Sequence, residues 1–237
     1  PKRRTRAMIA REKGLDPLAA VILSGMKPDE LLEEEALAYI DPEKDLNSVD
    51  DVLQGARDII AEEVSDNAEY RKEIRAMFRR YGLLESKTRK EEDTVYRMYY
   101  DFKEPVASLV SHRILAINRG EKEEVLKVQI TLSEEKVLAF LFSRYGTEKG
   151  GRKHMALAVE DAWKRLIYPS VEREIRSELT EKAEEQAMVV FRENLKNLLM
   201  QPPVHNRVVM GLDPAYRTGC KICVVDGTGK VLMTTVV

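Results

Sequence analysis

The apolar run Arg207-Val-Val-Met-Gly-Leu ends in a carboxylate, Asp213, and a tight turn carrying Arg217 follows it. An acid at the tip of a strand can hold Mg²⁺, and one or two such ions activate water and stabilise the leaving oxygen in phosphodiester cleavage. That chemistry needs several carboxylates converging from different elements. Asp213 alone is insufficient, so the chain is expected not to be an enzyme. The plainer reading of Asp213 is a turn aspartate that accepts a backbone N–H. Cys220 and Cys223 have a spacing that suggests metal or redox work. Zinc needs four ligands, however, and neither a second pair nor a nearby histidine is offered. On a strand, residues three apart face opposite sides, so both are expected to be buried strand residues, with no cofactor. His112, His154 and His205 fit neither a metal-ligand nor a triad spacing.

Positive charge gathers in two places. Lys2, Arg3, Arg4 and Arg6, with Arg11 and Lys13, make the densest basic run. On a helix Arg4 and Arg11 would share a face, with Lys2, Arg6 and Lys13 around it. Such a cluster neutralises phosphates and gives salt-sensitive, sequence-independent binding; as a solvated face it would instead pair with the acids at 30–35. Arg71, Arg75 and Arg79 recur every four residues beside Lys72 and Arg80, away from the apolar stripe of their helix. Coming a short turn after another helix, they fit the second member of a helix-turn-helix-like pair within 48–81. Glu69 and Glu73 dilute that field, and an exposed helix held by ion pairs is the alternative. The basic loop Lys149-Gly-Gly-Arg-Lys153 lacks the longer glycine-rich run of a phosphate-binding loop.

These residues must be positioned by helices, then by a sheet. Ser48, with Asp51 in a capping-box position, opens a helix whose stripe is Val52, Ala56, Ile59, Ile60 and Val64. Ser65-Asp66 should break it. Tyr70, Ile74, Met77, Phe78 and Tyr81 mark the next helix, and Gly82 stops it. Val125 to Leu132 alternates like a strand, and Leu83 to Ser86 offers it a partner. Ser133 opens a helix that should end at Gly146, and Trp163 reads as core. Pro169 sits where a helix start tolerates it. From there to Met200, Val171, Ile175, Leu179, Ala183, Ala187, Phe191, Leu195 and Leu198 keep one face apolar. This helix would run roughly 45 Å, a spine joining the helical part to the sheet. Pro202-Pro203 mark the boundary. Asp226-Gly-Thr-Gly-Lys230 then makes a hairpin turn between the apolar runs 222–225 and 231–237.

With 39 basic against 41 acidic side chains, the formal net charge is −2. That excludes a globally basic nucleic-acid binder and leaves only local patches. No apolar stretch approaches the roughly 20 residues that span a bilayer, and no signal-peptide pattern opens the chain, so a cytoplasmic protein without a membrane partner is expected. The first residue is Pro and the last lies inside an apolar strand run, so the 237 residues are expected to be a piece of a longer protein.

Several motifs agree in order and spacing with one family. They are Pro1-Lys-Arg-Arg-Thr-Arg-Ala7, Ala10-Arg-Glu-Lys-Gly-Leu-Asp-Pro-Leu-Ala19, Ser111-His-Arg-Ile-Leu-Ala-Ile-Asn-Arg-Gly-Glu-Lys122, Phe191 to Met200, and the Asp213-Pro…Arg217-Thr-Gly219 turn. Over essentially its whole length the chain resembles the Tex family of bacterial transcription accessory proteins. The resemblance implies a mainly α fold. Residues 1–200 would form a multi-helix region with short strands and the long helix 170–200, and residues 204–237 the first three strands of a YqgF, ribonuclease-H-like domain. It also implies RNA or DNA as a partner, bound weakly by this part, and RNA polymerase or other transcription machinery as a further one. Additional modules, a helix-hairpin-helix region and an OB-fold, would supply most of the affinity. Nuclease-like relatives of the fold commonly carry glycine two residues after the acid. Ala215 stands there instead and narrows the backbone room near Asp213. Two rival readings remain: a metal-dependent junction nuclease completed by acids elsewhere, and a helical platform that docks to the transcription machinery.

Overall fold

A computed structural model describes residues 4–89, 92–145, 150–202 and 204–237. The chain is mainly α and divides into two compact units, Pro1–Gln186 and Ala187–Val237. In the first unit α1 (Arg6–Glu12), α2 (Asp16–Ser24), α3 (Asp29–Ala36), α4 (Val49–Asp66) and α5 (Ala68–Tyr81) lead into the strands β1 (Leu83–Thr88) and β2 (Asp101–Pro105). Then come α6 (Ser111–Lys122), β3 (Leu126–Thr131), α7 (Glu134–Tyr145), α8 (Arg152–Asp161) and α9 (Tyr168–Leu199).

The core is built around α4. The Ser48 hydroxyl accepts the Asp51 N–H at 3.2 Å, and the Asp51 carboxylate accepts in return from the Ser48 hydroxyl and the Asn47 N–H. This is the expected reciprocal cap. Its hydrogen bonds, that from the Ser48 side chain first, hold the Asp51 carboxyl below its ordinary range. The stripe Val52, Ala56, Ile59, Ile60 and Val64 is fully buried, and Leu53 and Ala61 join it because α1, α2 and α8 all pack on this helix. A Cβ at Gly55 would lie 2.4 Å from Leu15 Cδ1, so a side chain there would have to displace the buried Leu15 at the start of α2. The helix breaks at Asn67, one residue later than the expected Ser65-Asp66. Asn67 is extended, and its side-chain oxygen accepts the N–H groups of Glu69 and Tyr70, which opens α5. One residue therefore joins α4 to α5, where a helix-turn-helix uses three or four.

β1 lies at the centre of an antiparallel sheet of order β2-β1-β3, with Leu84 opposite Glu104 on one side and Ile130 on the other. The two expected strands are present, and β2 is an addition. Gly146, the expected end of α7, lies outside the described residues.

Helix runs without interruption from Arg152 to Leu199, through a π-helical turn at Ala162–Ile167. Pro169 is thus interior to a helix, not its start. A proline lacks an N–H and its ring collides with the carbonyl four residues back. The widened turn just upstream, where the Tyr168 N–H bonds to Trp163 O five residues away, relieves that conflict. Val171, Ile175 and Ala183 are buried, as the stripe requires. Beyond them Phe191, Leu195 and Leu198 are exposed, so only the first half of the expected stripe is covered. The division between the two compact units falls inside α9, at Gln186.

The second unit carries an antiparallel meander, β4 (Val209–Asp213), β5 (Lys221–Val225) and β6 (Val231–Val236), in the order β4-β5-β6. The Asp226 side chain accepts from the Thr228 hydroxyl and from the N–H groups of Thr228 and Lys230. Those bonds fix the hairpin turn and hold the Asp226 carboxyl below its ordinary range. Among the described residues, no helix is long and apolar enough to cross a membrane.

Candidate nucleic-acid interface

Asp213 ends β4 opposite Lys221 and is exposed. Among the described residues its carboxylate makes no hydrogen bond or ion pair, and no group of three or more His, Cys, Asp or Glu could hold a metal ion. Among the described residues no backbone N–H donates to it, as the turn-aspartate reading would require. Gly219 closes the turn with φ +78°, and a Cβ there would meet Val237 O at 2.6 Å. Cys223 lies in β5 and Cys220 just before it; both are half-buried free thiols, less covered than expected.

The N-terminal basic run is not one helix face. Thr5 caps α1 by accepting the Met8 N–H, so Arg4 precedes the helix and cannot share a face with Arg11. Lys2 and Arg3 lie outside the described residues. Arg4 pairs with Glu12, Arg11 reaches Asp16 at 3.8 Å and Glu63 at 3.5 Å, and Lys13 donates to the Asp45 carbonyl. The acids are Glu12, Asp16 and Glu63 and not those at 30–35; Glu33 and Glu35 are taken by Lys153 and Lys27. Arg6 makes no ion pair among the described residues. Exposed pairs of this kind contribute about 0–1 kcal/mol, so a phosphate can displace them.

Arg71, Arg75 and Arg79 have a different occupation. Arg71 donates to the Ser65 carbonyl, the Ser65 hydroxyl and the Ser170 hydroxyl. Arg75 pairs with Glu174 at 2.9 Å, and Arg79 holds both oxygens of Glu178. Each partner lies 99 residues further on, so α5 and α9 run parallel, rung by rung, and the stripe faces the long helix. This is the ion-paired alternative, with the partner helix now identified. Ion pairing to Glu178 holds the Arg79 guanidinium above its ordinary value. Loop residue Lys149 lies outside the described residues.

A polar cluster not visible in the sequence sits in the core. His154 is 1% exposed, with Nδ1 3.2 Å from Arg57 Nη1. A guanidinium only donates, so Nδ1 accepts and the proton of the neutral ring is on Nε2. Arg57 also donates to Asp50 and Gln54. Nε2 faces Asp29 Oδ1 at 3.9 Å, and neither atom has a hydrogen-bond partner. Burial first, and then the Arg57 charge, hold the imidazole below its ordinary value.

Comparison with known proteins decides what this architecture is. Residues 27–191 match the model of the Tex central region, and residues 207–237 match that of the Tex protein YqgF-like domain. The chain belongs to the Tex family. Among its relatives, the uncharacterised protein YdcI of Bacillus subtilis is 46% identical over all of this chain and 34% of its own length. Protein tex of Bordetella pertussis is 38% identical over all of this chain and 32% of its own. The human S1 RNA-binding domain-containing protein 1 is 33% identical over 98% of this chain and 25% of its own length. The Tex chain described here thus spans about a third or less of the relatives it matches. Its central-region match ends at 191, close to the division between units, and its YqgF match takes in all of β4, β5 and β6.

Proposed function

We propose that this Tex chain is a cytoplasmic, non-catalytic scaffold that contributes weak, sequence-independent RNA or DNA binding to a transcription accessory protein. The carrying observation is the Tex match over 27–191 and 207–237, with relatives named as a transcriptional accessory protein and as an S1 RNA-binding domain protein. A net charge of −2 argues for contact through local cations alone. RNA polymerase or other transcription machinery is the further partner in this reading, met through protein surfaces.

The test is a salt titration of binding to labelled RNA and DNA. With about four phosphates neutralised, the slope of log affinity against log salt is expected near −3 to −4. Modest affinity at low salt should vanish by physiological salt. Changing Arg3, Arg4 and Arg6 together to Ala should weaken all sequences alike, because phosphate contacts position without specifying. Sequence-selective binding that survives high salt would sink this reading, and no binding at any salt would favour the docking platform.

That no metal-holding group of acids forms at Asp213 among the described residues supports the non-catalytic reading. Asp213→Asn is expected to leave nucleic-acid binding unchanged, and neither form should cleave branched or single-stranded nucleic acid with Mg²⁺ or Mn²⁺. Metal-dependent cleavage lost in the Asn variant would restore the nuclease reading.

A further inference from the structure

Three cations at the meeting of α5 and α7 are held by aromatic rings and not by carboxylates. The helices run antiparallel: Tyr70 of α5 meets Phe140 and Tyr145 of α7 edge-on at 6.1 and 6.0 Å, while at the other end Lys136 Nζ lies 5.1 Å from the Tyr81 ring centre. The Arg80 guanidinium is 5.1 Å from the same centre, and that of Arg144 is 5.2 Å from the Phe140 ring. Arg80, Lys136 and Arg144 are exposed and make no ion pair among the described residues, in contrast to Arg75 and Arg79 beside them. Of the nearby acids, Glu134 is engaged by Lys164, and among the described residues Glu73 and Glu135 form no ion pair with any of the three.

The kind of anchor matters. A carboxylate cancels the charge it holds, whereas a ring face holds a cation by its quadrupole and leaves the charge uncancelled. The N–H groups also stay free to donate to phosphate oxygens. Lys136, Phe140 and Arg144 are four apart and share one face of α7, so the two cations stand roughly 12 Å apart along it. Tyr81 is 48% exposed beside them. Cations interleaved with an open aromatic ring form the surface that single-stranded nucleic acids use.

We propose that Arg80, Lys136 and Arg144 form a phosphate track along the α5–α7 seam that takes the backbone of a single-stranded nucleic acid, with Tyr81 and Phe140 fixing the cations. The proposal rests on the nucleic-acid reading above and names a surface for it. The test uses this chain and a fluorescent 20-nucleotide oligo(dT) or oligo(U), with anisotropy read between 20 and 200 mM salt. Changing all three cations to Ala should lower affinity about tenfold or more at low salt. The salt slope should become shallower by about 2, since each single-strand phosphate contributes roughly 0.7. Tyr81→Ala should weaken binding about fivefold, while Tyr81→Phe, which keeps the ring face, should not. All four side chains are exposed or half-exposed, and circular dichroism checks that the fold persists. If the triple variant binds like the parent while Arg3, Arg4 and Arg6 to Ala abolishes binding, the seam is wrong and the nucleic-acid reading survives. Lost affinity with an unchanged slope also overturns the phosphate track. Failure of the parent chain to bind either oligonucleotide at 20 mM salt overturns both readings.

Discussion

Phe78→Ala should lower the unfolding free energy of the first unit by about 4 kcal/mol. Phe78 is fully buried where α5 meets the long helix, with the rings of Trp163 and Tyr168 centred 6.2 and 6.0 Å away. Truncation removes the buried ring and leaves a cavity whose walls are two large aromatics from the π turn and the start of α9. Neither can collapse into it without leaving its own site. Whole domains are stable by only about 5–15 kcal/mol, so the loss is a large share. Urea unfolding followed by Trp163 fluorescence should show an earlier midpoint at unchanged slope. Phe78→Leu, which refills most of the space, should cost much less. A loss below about 1 kcal/mol for the alanine variant would mean that the α5–α9 contact is not formed as described.

Arg57→Met should cost about 2 kcal/mol at pH 8, and less at pH 5. Asp50 is largely exposed and loses little when its partner goes. The penalty falls on His154, whose buried Nδ1 loses the Arg57 donor, and an orphaned buried acceptor costs roughly 1–3 kcal/mol. The pH dependence follows from the direction of the His154 shift. Its folded value lies below 6.5, so on acidification the unfolded chain takes up the proton first. In the parent protein the stability from neutral His154 is full above pH 6.5 and is lost as pH falls from there through the lower folded value. Methionine removes the cation that opposes protonation, while the Asp29 and Glu33 carboxylates that favour it remain, with Lys153 still opposing. The folded value should move back toward 6.5 and the acid loss shrink. Stability curves measured at pH 5, 6.5 and 8 for both proteins check this; a gap that widens toward acid would contradict the tautomer assigned to His154.

What could be read in the sequence was local chemistry with a period. Ser48 with Asp51, the stripe of α4, and the Asp226–Lys230 turn all carry their structural reason within a few residues. Strand β2 was hidden because Asp101-Phe-Lys-Glu-Pro105 has one apolar side chain and pairs with β1 alone, at the sheet edge. Pro169 misled because the turn that tolerates it lies upstream and has no residue signal of its own. For the candidate interface the cations were legible and their partners were not. Arg75 and Arg79 find their carboxylates 99 residues away, and Arg57 finds His154 97 residues away. Spacing along a chain carries no trace of such pairs. The exposed cations of the α5–α7 seam likewise become distinct from their neighbours only once those neighbours are seen to be engaged.

The π turn also sets the phase of the long helix. Trp163, Ile167, Val171, Ile175, Leu179 and Ala183 recur every fourth residue and are buried or packed on the core. Four residues overshoot one α-helical turn by roughly 40°, so a stripe with that spacing winds around its helix like a screw thread. A wider turn at Ala162–Ile167 takes back part of the overshoot before α9 begins. Loss of a single residue after it, with the π turn kept, would rotate the helix downstream by roughly 100°. Val171 and Ile175 would turn out of the core, and in the same stroke Glu174 and Glu178 would leave Arg75 and Arg79. The apolar seam and the charged ladder are therefore geared together, and a one-residue deletion should break both where a substitution at the same place breaks neither.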